Sequence, residues 1–305
     1  MTPQQPAHDL GRISGSDFAQ ILQNFQVALQ AHESDINSLN VFPVPDSDTG
    51  TNSLLTVESG ISGLVDSTQQ QDSLKVVVEK FAKFASANAR GNSGTILAEY
   101  FRGLALGLEG ESDVANWHSA LQIAASCAVD AVLTPYEGTI LTVAQAIAQV
   151  RPPIEMFAYL GDVTHVAKLA LSQTTNQLEP LRQAQVVDAG ACVLVLFHEC
   201  VSSFYNGHQI NISFVATSPN FATHQNYSGP EFELTLSLTT QHNAREALKV
   251  SLCDLGESLT IAGAPPEFKI HIHTDSVDEV LNAVAALGEV SMVGTTSLTE
   301  NMPKS

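Results

Sequence analysis

Up to about residue 207 the apolar positions recur at helical spacing; beyond residue 230 they alternate as in strands. Phe18, Ile21, Leu22, Phe25 and Leu29 mark a first helix, which Ser14 and Asp17 open as a capping pair and which ends near Asp35. Met1 to Ile13 reads as a loose tail. A second helix begins near Thr51, with Thr49 or Thr51 as N-cap, and Gly60 and Gly63 weaken its end. After a polar break at Gln69 to Asp72, a third helix carries Leu74, Val77, Phe81 and Phe84. A fourth follows through Ile96, Leu97, Tyr100, Phe101 and Leu104, and a fifth through Trp117, Leu121, Ala124, Ala125 and Ala128, with the Trp117 ring in the core. Ile154 to Gln177 is one long helical stretch closed by Pro180, and Val193 to Phe204 an apolar last helix. The total is roughly eight helices and no strand.

Asn206 to Pro230 is polar and reads as a linker, in which Ile210 to Ala216 could add a strand. Strands are then expected at Phe232–Leu238, Ser258–Ala262, Phe268–Thr274 and Val290–Val293. Helices are expected at Ala244–Leu255 and Val277–Leu287. The order β-α-β-β-α-β is that of a ferredoxin-like unit. The division is therefore 1–207 helical, 208–230 linker and 231–305 α+β.

Composition narrows the chemistry. In 305 residues, 44% are hydrophobic and 15% charged, as in a globular chain. The formal net charge of −19 repels nucleic acid and anionic membranes, so neither is an expected partner. An anionic nucleotide would need a metal and local backbone dipoles to bind. Cys127, Cys192, Cys200 and Cys253 are scattered without a C-x-x-C, which fits a reducing cytoplasm. Met1 to Gly15 has no apolar signal-peptide core, and the run at Ala189 to Phe197 is too short to span a bilayer.

The segment Asn40-Val41-Phe42-Pro43-Val44-Pro45-Asp46-Ser47-Asp48-Thr49-Gly50-Thr51-Asn52 concentrates the chemistry. Pro43 and Pro45 rule out helix and impose a stiff extended loop. Two carboxylates, Asp46 and Asp48, then precede a helix start whose N–H groups suit phosphate. Carboxylates beside phosphate suit Mg²⁺. An isolated D-x-D is more often a capped surface turn. An EF-hand loop is excluded, because Gly50 and Val57 would stand where oxygen ligands are needed.

This segment resembles the signature of the DhaL-type ATP-binding domain, found in dihydroxyacetone kinases and at the N-terminus of bacterial fatty-acid kinases, and is closer to the latter. The family has Gly where Ser47 stands, a change that matters only where the backbone needs positive φ. Three more strings are similar: Ala89-Arg90-Gly91-Asn92-Ser93-Gly94, Glu137-Gly138-Thr139-Ile140-Leu141-Thr142 and Val186-Val187-Asp188-Ala189-Gly190. The resemblance implies a barrel of antiparallel helices with its site at one rim. Asn40, Asp46 and Asp48 would hold Mg²⁺ on ATP. The N–H groups of Thr49, Gly50, Thr51 and Asn52, and of Asn92, Ser93 and Gly94, would cradle phosphates. Glu137, Gly138 and Thr139 would stand near the nucleotide, and Asp188, Ala189 and Gly190 at its adenosine end. Glu137 is also an ordinary acidic residue at a helix start, and Arg90 either offsets phosphate charge or pairs on the surface.

Leu255-Gly256-Glu257-Ser258-Leu259 and His271-Ile272-His273-Thr274-Asp275 resemble the middle domain of fatty-acid kinases. His271 and His273 fall on one face of a strand and could share a metal, Zn²⁺ being the candidate. In that family a Cys before the first strand is expected to join them; here His224, His242 or Glu231 would have to substitute. The resemblance implies an ATP- and Mg²⁺-dependent kinase whose acceptor is a fatty-acid carboxylate on a separate acyl-carrying protein. Glycerone phosphorylation and a non-catalytic nucleotide-binding module are the alternatives, and a homodimer stays open. Fatty-acid kinases continue into a third domain thought to engage the acyl carrier, whereas this resemblance finishes near Met302.

Overall fold

A computed structural model describes residues 12–64, 72–109, 112–210, 212 and 229–299. Among them, nine helices form the first domain: α1 (Gly15–Ser38), α2 (Thr49–Ser62), α3 (Leu74–Ala87), α4 (Gly91–Gly107), α5 (Val114–Asp130), α6 (Ile140–Ala148), α7 (Met156–Gln177), α8 (Glu179–Ala184) and α9 (Ala189–Asn206). The capping box is formed: the Ser14 hydroxyl accepts from Asp17 N, and the Asp17 carboxylate accepts from Ser14 N. That helix runs to Ser38, past Asp35. Pro180 does not simply close α7; it sits in the first turn of α8, where a missing N–H costs nothing. Ile13 is not loose either, since it is fully buried and pairs its backbone with Ser112. Residues 1–11 and most of the expected strand at 210–216 lie outside the described residues.

Each of α1 to α7 packs on the next, and α9 closes the ring between α7 and α1. Its interior is aromatic and edge-on: Phe197 of α9 meets Phe18, Phe25 and Phe101 at centroid distances of 6.3, 5.4 and 4.9 Å. This is the expected helical barrel, with Trp117 fully buried in it.

The second domain runs β1 (Phe232–Thr239), α10 (Arg245–Leu252), β2 (Glu257–Ala264), β3 (Glu267–Thr274), α11 (Val277–Ala285) and β4 (Glu289–Ser297), its antiparallel sheet ordered β2-β3-β1-β4. That is the ferredoxin-like order. Leu234, Leu236, Leu238, Ile270 and Ile272 share a buried core with Leu248, Val280 and Val284 of its helices. Alternation puts Glu233, Thr235, Lys269, His271 and His273 on the opposite face. That face meets the helical barrel. The 131–133 segment, just after α5, pairs with β2: Leu133 N donates to Leu259 O (3.1 Å) and Ile261 N to Ala131 O (2.9 Å). The cleft lined by the motif residues of both domains lies in this junction.

Candidate active site

The loop before α2 is held from below by two carboxamides. Asn40 Oδ1 accepts from Thr49 N (3.0 Å), Thr49 Oγ1 (2.6 Å) and Asp48 N (3.3 Å), while its Nδ2 donates to Val44 O (2.8 Å). Asn37 Oδ1 accepts from Gly50 N and Thr51 N at 2.7 and 3.2 Å. Asn52 N already bonds Asp48 O at 2.8 Å. The N–H groups of Thr49 to Asn52 are therefore taken, which corrects their expected role as a phosphate cradle. Asn40 is likewise engaged at both ends of its side chain and braces the loop rather than facing a cation. The N-cap of α2 is Asp48, not Thr49 or Thr51, and its carboxylate accepts no backbone cap bond. Gly50 is packed against the backbone of Glu33, and Thr51 turns to Glu33 Oε1 (2.6 Å), so both face α1 and not the cleft.

That bracing leaves Asp46 and Asp48 together. They sit side by side, and Asn52 Nδ2 donates to Asp48 Oδ2 at 2.7 Å. Desolvation by the cleft walls, then the Asp48 charge, pushes Asp46 up to about 8 although its side chain still reaches solvent, and desolvation raises half-buried Asp48 as well. Ser47 between them has φ 59°, so the family's Gly position does require a left-handed backbone.

Free donors occur instead at α4. The N–H groups of Gly91, Asn92 and Ser93 meet no acceptor among the described residues, and Gly94 N closes the first turn on Arg90 O (3.0 Å). Gly91 has φ +57°, and a Cβ there would strike Asn52. A Cβ at Gly94 would strike Thr56 Oγ1, so Gly94 works by letting α4 approach α2 rather than by lining the cleft. A helix start with three open donors binds anions.

Across the cleft, Asp188 caps α9 through Ala191 N (2.7 Å) and also accepts from Ile140 N, joining two helix starts. Its burial lifts it to about 6. Thr139 and Gly190 line the cleft beside it. Gly138, with φ +80° and Gln177 where a Cβ would go, and buried Ala189 shape these turns from behind. Glu137 is exposed and does not line the cleft. Sequence reasoning missed Phe42 and Tyr136, which pack edge-on at 5.2 Å and line the cleft with Val132, Ile140 and Leu141.

The α+β domain supplies the remaining wall. His271 Nε2 and His273 Nε2 lie 3.2 Å apart, close to the ~3.3 Å separating two nitrogens on one tetrahedral ion. Burial keeps both neutral: His273 falls to about 4 and His271 lies well below its ordinary value. The acidic residue facing them is Glu233, whose Oε1 is 3.6 Å from His271 Nδ1. It lies at the Nδ1 edge of His271, away from the paired Nε2 atoms, so among the described residues no third ligand joins them. Glu231 bonds Asp275 through its backbone, His242 is exposed, and His224 lies outside the described residues. Period-two alternation placed Glu233 on this face, but only the docking of the domains brings it to the aspartates. Burial and the Asp48 charge raise Glu233 to about 7.

The cleft encloses about 330 Å³, and of the carboxylates lining it Asp46, Asp48 and Glu233 act on one another. Such a cluster is costly unless protonated or neutralised by a cation, so the donor set fits Mg²⁺. Among the described residues no three His, Cys, Asp or Glu side chains are grouped to hold an ion alone. Mg²⁺, which keeps water and phosphate ligands, fits this better than a closed zinc site.

Two family models match the chain: the DAK2 domain over residues 43–203, and the fatty acid kinase A-subunit-like middle domain over 229–304. An uncharacterized protein of Staphylococcus epidermidis is 29% identical over 302 residues, 92% of this chain and 54% of the relative. Protein YloV of Bacillus subtilis is 28% identical over 301 residues, 91% and 54% respectively. The chain thus spans about half the length of the curated relatives it matches. No helix among the described residues is long and apolar enough to cross a membrane. With the DAK2 match covering α2 to most of α9, more than half of the chain, the chain belongs to the DAK2-domain family and carries a middle domain of the fatty acid kinase type.

Proposed function

We propose that the chain is an ATP- and Mg²⁺-dependent phosphotransferase, its acceptor a fatty-acid carboxylate presented by a separate acyl-carrying protein. The observation that carries this reading is the Asp46–Asp48 pair, set side by side and lining one cleft with the open N–H groups of α4. Asp46 and Asp48 hold Mg²⁺, which when bound neutralises phosphate charge. Gly91, Asn92 and Ser93 bind phosphate oxygens through their N–H groups. Thr139, Asp188 and Gly190 border the nucleoside, and Tyr136, Phe42 and Ile140 give its base an apolar wall. Phosphoryl transfer needs mainly positioning and charge neutralisation, and this rim offers both. His271 and His273 offer a second, two-ligand cation position through their paired Nε2 atoms.

The test is ATP turnover with Mg²⁺, with and without an acyl-loaded carrier protein, in wild type and Asp46→Ala. Carrier-stimulated turnover that Asp46→Ala abolishes supports the proposal. ATP binding without turnover under any acceptor identifies a nucleotide-binding module instead.

A further inference from the structure

We infer that Glu99 and Arg245 form a positioning clamp that sets the α+β domain over the nucleotide rim, so that the active site is assembled by domain docking. The inference rests on the phosphotransferase reading for its catalytic consequence, though not for the clamp itself.

Glu99 on α4 is completely buried. Arg102, one turn on, grips it with Nε and Nη2 at 2.8–2.9 Å. From the other domain, Arg245 Nη2 donates to Glu99 Oε2 (2.8 Å) and Gly263 N to Oε1 (2.7 Å). Arg245 itself is 6% exposed; its Nη1 donates to Ile261 O (2.6 Å) and its Nη2 also to Gly263 O (2.8 Å). One carboxylate thus fastens β2 and the start of α10 to α4.

The clamp is aligned with the proposed phosphate site. Asn92 and Glu99 are seven residues apart, on one face of α4 about 10 Å from each other. Both contact β2: Asn92 Oδ1 accepts from Thr260 Oγ1 at 3.1 Å. A shift of β2 at Glu99 therefore moves the wall opposite the open N–H groups, and with it His271 and His273 on the next strand. A buried ion pair adds little net stability over a hydrophobic substitute, so its effect is geometric: it admits one docking register.

Arg245→Met is the decisive variant, because Arg102 still satisfies Glu99 and both domains keep their cores. Hydrogen exchange on the full chain should quicken at the Ile261 and Gly263 amides by about tenfold or more. Turnover should fall about tenfold further than Mg·ATP affinity, and Arg245→Lys should recover part of the loss. Unchanged exchange in Arg245→Met overturns the clamp. So does a parallel fall of affinity, turnover and melting temperature, which marks simple destabilisation. If wild type shows no turnover, the phosphotransferase reading fails while the exchange comparison still decides the clamp.

Discussion

Ser47 holds φ 59° between the two aspartates, a conformation that costs an L-residue about 1 kcal/mol and glycine nothing. Ser47→Gly should therefore raise stability by up to about 1 kcal/mol, less what glycine loses in the unfolded chain, measurable by urea denaturation. The sequence put Ser47 in the family's glycine position, but only the backbone angle reveals that the position needs glycine. Asp46 carries the opposite tension. Its ionised form stands beside the like charges of Asp48 and Glu233, so Asp46→Asn should raise the melting temperature without nucleotide and remove the further rise that Mg·ATP gives. A variant that melts lower in both conditions would contradict the charge crowding. The roles of Asn40 and the α2 amides were legible only as residue types near a loop. Which acceptor each N–H finds depends on Asn37, a helix turn earlier, and no local motif records that.

At the scale of elements, glycines separate close approach from tolerance. Gly94 lets α4 pack on α2, and Gly94→Ala should cost about 1–3 kcal/mol by forcing these helices apart. Gly161, inside α7 with nothing within 4 Å of where a methyl group would stand, is the control: Gly161→Ala should stabilise by about 0.5–1 kcal/mol. Chemical denaturation of the two variants tests both signs. Helix α9 adds a pH effect. His198 is buried on it, bonded to Tyr100 Oη at 2.9 Å, and burial lowers it from 6.5 to about 3. The unfolded chain binds that proton first, so stability falls as pH drops below 6.5, by about 3 kcal/mol at pH 4 from this group. His198→Gln should flatten that slope in denaturation curves taken across the same range. The helices and strands themselves were legible, because period and caps are local. Their ends moved by a few residues where Pro180 opened α8 and β4 ran on to Ser297.

For the whole molecule, the two-part architecture was readable from the switch in periodicity. The way the parts meet was not: it depends on a 131–133 backbone pairing, a buried carboxylate and the polar face of a sheet, drawn from positions over a hundred residues apart. That junction explains why Glu233 escaped notice while His271 and His273 did not. On the proposed function, it would also make metal and nucleotide binding a joint property of both domains. The central claim is that Asp46 and Asp48 bind Mg²⁺ with ATP at this junction. Calorimetric titration of Mg·ATP into the full chain and into Asp46→Asn/Asp48→Asn tests it most directly. Saturable binding that weakens at least about tenfold in the variant is the predicted result. Equal affinity in the two proteins would contradict it.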